Sequence, residues 1–329
     1  SWMVFSVMGS LPYLISGSAS SFIDAFFESA SGFTTTGSSI FTDVEILPWS
    51  ILFWRSFTHW IGGFGIVVLV IIILPALRIM GYQLFSLESS LKEKIHPRTR
   101  AVGYRVLFIY LGLSAAPMVL LFMGDMTLFD SICYMFGTIA TGGFSTKNSG
   151  LMYYSSYNQY IIMIFMFLAG VSQVVYYYLI KRNFRKIKQN DEFWFYLAVT
   201  IISGTIAMLI LLGYNTGSFE EAFRGGFFNV ISIITTTGFA SVDFLYWPVP
   251  GLILIFFLFF AGASSGSTTG ALKMGRHLIV LRNIKSIFTR LIHPNAVSTL
   301  KIKGRIITSV GNITSLSFVV FYLCIFLIG

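Results

Sequence analysis

Apolar residues in this chain fall in long unbroken runs. They show neither the alternation of a half-buried strand nor the stripes of a soluble amphipathic helix. Residues 66–74 and 252–260 carry no charge, and apolar segments occur at about 49–76, 104–123, 160–180, 193–213, 250–281 and 306–328. Each reaches roughly the 20 residues that a helix needs to cross a bilayer. The segment at 250–281 is interrupted, and residues 2–15 read as the tail of a further span. The pattern predicts an all-α polytopic membrane protein. Composition agrees: 55% of residues are hydrophobic and 11% charged, against about a quarter charged in soluble domains. That excludes a cytosolic enzyme or a soluble nucleic-acid binder, despite a net charge of +9. Cys133 and Cys324 lie in apolar runs without a pairing pattern, and the opening residues do not read as a cleavable signal peptide.

Charge sets the expected topology. Three segments, 77–105, 181–192 and 273–305, hold nineteen of the 22 lysines and arginines, among them Arg78, Lys92, Arg98, Arg185, Lys188, Arg282 and Lys303. By the positive-inside rule these connections face the cytoplasm. Asp24, Glu28, Asp43, Glu45, Asp125, Asp130, Glu220, Glu221 and Asp243 lie in the other connections. An acidic outer vestibule would concentrate cations, and the same acids are suited to capping short helices.

Between the spans a shorter apolar piece recurs. Residues 22–39, 129–146 and 219–241 each run from an acid, through 12–16 mostly apolar residues, to a T-x-G sequence. Aligned on that motif, Gly37, Gly143 and Gly238 fall 106 and 95 residues apart, with Asp24 and Asp130 each 13 residues before their glycine and Glu221 17 before, one helical turn more. Such segments are too short to span. The expected arrangement is helix, re-entrant short helix, extended T-x-G loop, helix. Non-helical backbone at membrane depth persists where it lines a water-filled path or is buried in protein, and freed carbonyls there can replace an ion's hydration shell.

The loop sequences T-T-T-G-S-S, A-T-G-G-F-S-T and T-T-T-G-F-A-S resemble the filter loops of the Trk/Ktr/HKT superfamily of potassium transporters, most nearly the bacterial Trk membrane subunit. W-R-S-F-T-H-W-I-G-G-F-G-I at 54–66 and L-I-H-P-N-A-V at 291–297 support the likeness, which runs essentially end to end. The resemblance implies four helix–pore-loop–helix repeats around one pore, with three quarters of a potassium-binding filter formed by Thr35, Thr36, Gly37, Thr141, Gly142, Gly143, Thr236, Thr237 and Gly238. Gly142 competes with Gly143 for the filter position; Gly143 is preferred because Phe144 then matches Phe239. The repeats are expected at 1–76, 104–181 and 193–282, with 306–329 the first helix of an incomplete fourth, so that the chain reads as a fragment. Potassium is the transported ion and no cofactor is expected. The resemblance further implies a homodimer in the bacterial inner membrane with a cytosolic nucleotide-binding regulatory subunit.

The interruption at 262–273, G-A-S-S-G-S-T-T-G-A-L-K, lacks a preceding short helix with an acidic start and is therefore not a fourth filter. Small hydroxyl residues and glycines there imply a bent, hydrated segment. The resembling family has an occluding intramembrane loop at this position. Gly262, Gly266 and Gly270 would supply flexibility, Ser265, Ser267 and Thr268 polar contacts, and Lys273 either repulsion of cations, an anchor for the loop, or a snorkelling tail. Arg55 and Arg224 are expected in salt bridges bracing the short helices, and His59 in helix packing. The resemblance implies a potassium-selective channel-like uptake protein, with a sodium- or proton-coupled cation symporter as the alternative. A membrane-embedded enzyme is disfavoured for want of a nucleophile–base pair or metal cluster. The sequon at Asn312 falls at the cytoplasmic end of the last helix and is disregarded.

Overall fold

The computed structural model describes residues 2–68, 99–214, 217–293, 301–302, 305–306 and 309–328. The end of the first apolar segment (69–76), much of the first basic segment with Arg78, Lys92, Lys94 and Arg98, Lys303, and residues 294–297 lie outside the described residues.

The same series of elements occurs three times. Helix α1 (Trp2–Ile15) is followed by short α2 (Phe22–Phe33) and by α3 (Trp49–Val68). Helix α4 (Thr99–Phe122) is followed by short α5 (Leu128–Ala140), then α6 (Ser156–Ala169) and α7 (Gln173–Ile180). After α8 (Phe184–Lys188), α9 (Asp191–Gly213) is followed by α10 (Phe219–Ile234), α11 (Val249–Leu258) and α12 (Met274–Ile292). A two-residue pairing of β1 (Lys301–Ile302) with β2 (Arg305–Ile306) precedes α13 (Ser309–Ile328), which therefore starts three residues after the apolar run begins. Gly103–Phe122, Asp191–Gly213 and Gly311–Ile328 are each long and apolar enough to cross a membrane, and α6 with α7 would make a fourth such span were it not bent by 94°.

The starts of the three short helices share one chemistry. The hydroxyls of Ser21, Thr127 and Ser218 accept from the backbone N–H of Asp24, Asp130 and Glu221, at 3.1, 3.1 and 3.3 Å. Each acid is thus the third residue of its helix, where its charge suits the positive end of the dipole. Glu221 also accepts from the Ser218 N–H at 2.9 Å, closing a capping box. The helices run 12, 13 and 16 residues, so the extra turn of α10 accounts for the longer spacing from Glu221 to Gly238. At 1.5 Å per residue none reaches the ~30 Å hydrocarbon core.

The expected single span at 160–180 is not continuous. It breaks at Gly170–Ser172, because Gly170 is approached by the Tyr196 ring and Ala263 so closely that a Cβ there would lie 2.5 Å from the tyrosine hydroxyl oxygen. The Gly170 carbonyl then accepts from Ser264 N–H at 3.1 Å, taking a loop in place of a further helical turn. Apolar packing between the second and third units centres on Leu121, Tyr134, Met166, Phe228 and Phe239. Outward-facing Phe108, Ile202, Phe257 and Phe321 are exposed, as lipid-facing positions are.

Candidate functional site

Each short helix ends in the same backbone motif. In the first loop Thr35 N–H reaches Gly32 O at 3.1 Å and Thr36 N–H reaches Ser31 O at 2.9 Å. The second has Thr141 to Thr138 (3.3 Å) with Gly142 to Gly137 (2.8 Å); the third has Thr236 to Ile233 and Thr237 to Ser232, both 2.9 Å. These paired bonds form a Schellman termination, whose left-handed residue is usually glycine. Here it is threonine: Thr35, Thr141 and Thr236 have φ of 55°, 54° and 53°. A β-branched residue in that region is strained. The first residue of T-x-G is therefore left-handed, where the sequence predicted an extended loop throughout.

Two residues on, Gly37, Gly143 and Gly238 have φ of 79°, 89° and 83°, which puts Gly143, not Gly142, in register with the other two. A Cβ on Gly37 would overlap the Gly142 carbonyl oxygen, and a Cβ on Gly143 would overlap that of Thr237. Each glycine thus abuts the carbonyl of the middle T-x-G residue in the following loop, and the three loops stand side by side in chain order. Gly238 has nothing within 4 Å in the corresponding direction.

The side chains of the middle residues serve the helix ends, apart from their carbonyls. The hydroxyls of Thr36 and Thr237 pair back with Thr34 and Thr235 at 2.7 and 2.8 Å, so these side chains secure the helix end. In the second loop that position is Gly142, where a Cβ would overlap the His59 ring. His59 is fully buried and stacks on Phe144 with ring centroids 4.1 Å apart, the packing role expected of it.

Arg55 is 2% exposed and Glu28 is fully buried. The guanidinium donates to Glu28 Oε1 at 2.7 Å, to Ser39 Oγ at 3.0 Å and to the Ser145 carbonyl at 3.4 Å, with Cζ 4.3 Å from the Phe144 ring centre. Glu28 also accepts from Ser39 Oγ and Ile40 N–H, each at 3.0 Å. One buried ion pair therefore ties the segments leaving the first and second loops. Arg224 pairs with Glu220 at 2.8 Å and donates to Gln159 at 2.6 Å. Further out, Asn148 Nδ2 donates to Asp43 at 2.7 Å, and this amide holds the exposed Asp43 carboxyl below the usual carboxylate range. Lys147 and Glu45 lie 3.6 Å apart beside it. Most of the outer acids thus cap or bridge backbone segments. Among the described residues no cluster of histidine, cysteine or acids is arranged to hold a metal ion.

Residues 259–273 lie against these loops. Thr268 Oγ1 donates to the Ile139 carbonyl at 3.2 Å and accepts from Thr141 Oγ1 at 3.3 Å, while Gly270 N–H donates to Thr236 Oγ1 at 2.7 Å. The segment is thereby hydrogen-bonded to the left-handed threonines of the second and third loops. Internally, Gly262 N–H reaches Leu272 O at 2.8 Å, Ser267 Oγ reaches Ser264 O at 2.6 Å, and Lys273 Nζ folds back onto the Thr269 carbonyl and hydroxyl. The Lys273 ammonium thus bonds within the segment itself. Gly262 is glycine because a Cβ would press on the Gly270 carbonyl, and Gly266 because its φ is 78°. Ser265 N–H donates to Glu192, a residue the sequence reading passed over as one more charge on a basic connection.

Re-entrant helices ending in strained T-x-G turns, between longer apolar helices, define a polytopic all-α membrane protein built on repeated helix–loop–helix units. The family described as TrkH, cation transport protein, matches residues 1–328. The Trk system potassium uptake protein TrkH of Vibrio parahaemolyticus is 35% identical over 98% of this chain and 70% of its own length. That of Escherichia coli K12 is 36% identical over 92% of this chain and 64% of its own, and the potassium uptake protein TrkI of Halomonas elongata 33% over 90% and 61%. The crystal structure of the potassium transporter TrkH from V. parahaemolyticus superposes with a TM-score of 0.89 at 32% identity, covering 99% of this chain and 68% of that one. The chain belongs to the TrkH cation transport family.

Proposed function

We propose that this chain contributes three quarters of a potassium-selective, channel-like pore for ion uptake across the bacterial inner membrane. The carrying observation is the succession of Gly37, Gly143 and Gly238, alike in φ, the first two abutting the next loop's carbonyl. Only glycine satisfies both constraints, and loops standing side by side in this way suit a ring of freed backbone oxygens that replaces the hydration shell of a monovalent cation. A fourth loop of the same kind beside Gly238 would complete the ring. Potassium is the cargo, and the names of the relatives support that choice of ion. Residues 259–273, bonded to Thr141 and Thr236, act as a gate beneath the filter on the side of the basic connections, which face the cytoplasm. Those connections dock a nucleotide-binding regulatory subunit, and the protein works as a homodimer. Transport rather than catalysis is the activity.

The test is rubidium and sodium flux into proteoliposomes holding the complete protein, compared with Gly143→Ser and with deletion of residues 264–269. Loss of rubidium-over-sodium discrimination in the first, with persistent flux in the second, is expected. Flux indifferent to both changes overturns the reading. Flux that requires a sodium or proton gradient moves it to coupled symport.

A further inference from the structure

Glu192 is the second residue of α9 and only 2% exposed. One of its oxygens, Oε1, accepts from Ser265 N–H at 2.6 Å and from Gly275 N–H at 3.1 Å. These two donors lie on opposite arms of the intramembrane segment, one inside it and one in the first turn of α12. Helix α12 has no side-chain cap of its own, since its preceding residue, Lys273, makes no capping hydrogen bond. The carboxylate therefore caps α12 from another helix while sitting in the first turn of α9, and both dipoles favour its charge. A buried carboxylate is costly unless hydrogen-bonded, and these two hydrogen bonds come from the segment proposed above as the gate and from the helix that follows it. Beside it, Asp191 binds Arg282 of α12 at 2.8 Å, so consecutive acids hold both the loop and the helix that follows it.

We infer that Glu192 is the positioning residue of this loop: it clamps the two arms and holds the segment against the threonine turns. The inference rests on the gate reading and names the group that sets its resting position. Displacing α12 would draw Gly275 from the carboxylate and release Ser265 with it.

The experiment uses the complete protein in proteoliposomes, with Glu192→Gln and Glu192→Ala. Rubidium flux and rubidium-over-sodium discrimination are measured alongside thiol labelling of a Ser267→Cys reporter, in a background where Cys133 and Cys324 are serine. Losing even one hydrogen bond to a charged group corresponds to about tenfold or more, so Glu192→Ala, which removes two, raises flux and labelling rate by at least about tenfold with discrimination unchanged. Glu192→Gln, which keeps an acceptor oxygen, gives a smaller rise and covers the case in which alanine prevents folding. Unchanged labelling in the folded variants overturns the clamp, as does lost discrimination without increased flux. Should wild-type flux lack discrimination, the pore reading fails instead, while the labelling rates still decide the clamp.

Discussion

Replacing one member of the Arg55–Glu28 pair has a cost that follows from its surroundings. Arg55 is 2% exposed, Glu28 fully buried, and the guanidinium bonds to segments leaving two different loops. In Glu28→Gln the guanidinium keeps its place with no counter-charge, and in Arg55→Met the carboxylate keeps two donors but loses its cation. Stranding one charge of a buried pair costs about 3–5 kcal/mol, whereas replacing both members with neutral groups is often close to neutral. The double variant Glu28→Gln/Arg55→Met is therefore expected to be no less stable than the worse single one, giving a coupling energy of at least about 3 kcal/mol. Equilibrium unfolding of the purified protein in mixed detergent micelles measures all four corners of this cycle. Because Arg55 also holds the Ser145 carbonyl two residues past Gly143, Arg55→Met should lose rubidium-over-sodium discrimination as well. Additive single effects, or singles below about 1 kcal/mol, would refute the view that the pair is a buried, mutually dependent brace.

Three further outcomes are expected. Gly142→Ala should destabilise by about 1–3 kcal/mol through overlap with the His59 ring, and most of that loss should return in the thermal stability of Gly142→Ala/His59→Ala. Thr35→Gly, at φ 55°, should raise unfolding stability by about 0.5–1 kcal/mol by relieving left-handed strain, while flux measurements show poorer discrimination because the turn loses its rigidity. The Asp43 carboxyl is held low by the Asn148 amide, so its stabilising contribution is present above the ordinary value near 3.8 and is lost as pH falls through the lower folded value. Asn148→Ala should accordingly move the acid midpoint of thermal stability to higher pH, and an unmoved midpoint would contradict that linkage.

The short helices were legible because their physics is local. A polar cap, an acid at the third position, an apolar run too short to span and a T-x-G terminus all lie within one stretch of sequence. Even the extra turn before Gly238 showed as a spacing. The interruption after α11 was legible for the same reason, as small and hydroxyl residues in an otherwise apolar run. The break at Gly170 was not, since residues 160–180 read as a continuous span and its cause, Tyr196 and Ala263, comes from elsewhere in the chain. Arg55 announced a partner by being a cation in an apolar helix, yet nothing local selected Glu28 from the other outer acids. Glu192 was hidden by its setting: among many charges on a basic connection, one that turns inward leaves no periodic mark. The left-handed threonines were equally silent, because residue preference argues against them and only the packed loops impose them.

The lodging of residues 259–273 in the break between α6 and α7 also has a consequence for assembly. The Gly170 carbonyl and the Ser264 N–H that satisfies it are 94 residues apart. At about 5–20 residues per second of synthesis, the receiving notch would leave the ribosome roughly 5–20 s before its occupant. Until then the Gly170 carbonyl lacks the donor that fills it in the folded protein. The second unit is thus finished only when the third arrives, which makes the pair one cooperative folding step even though each has its own short helix and turn.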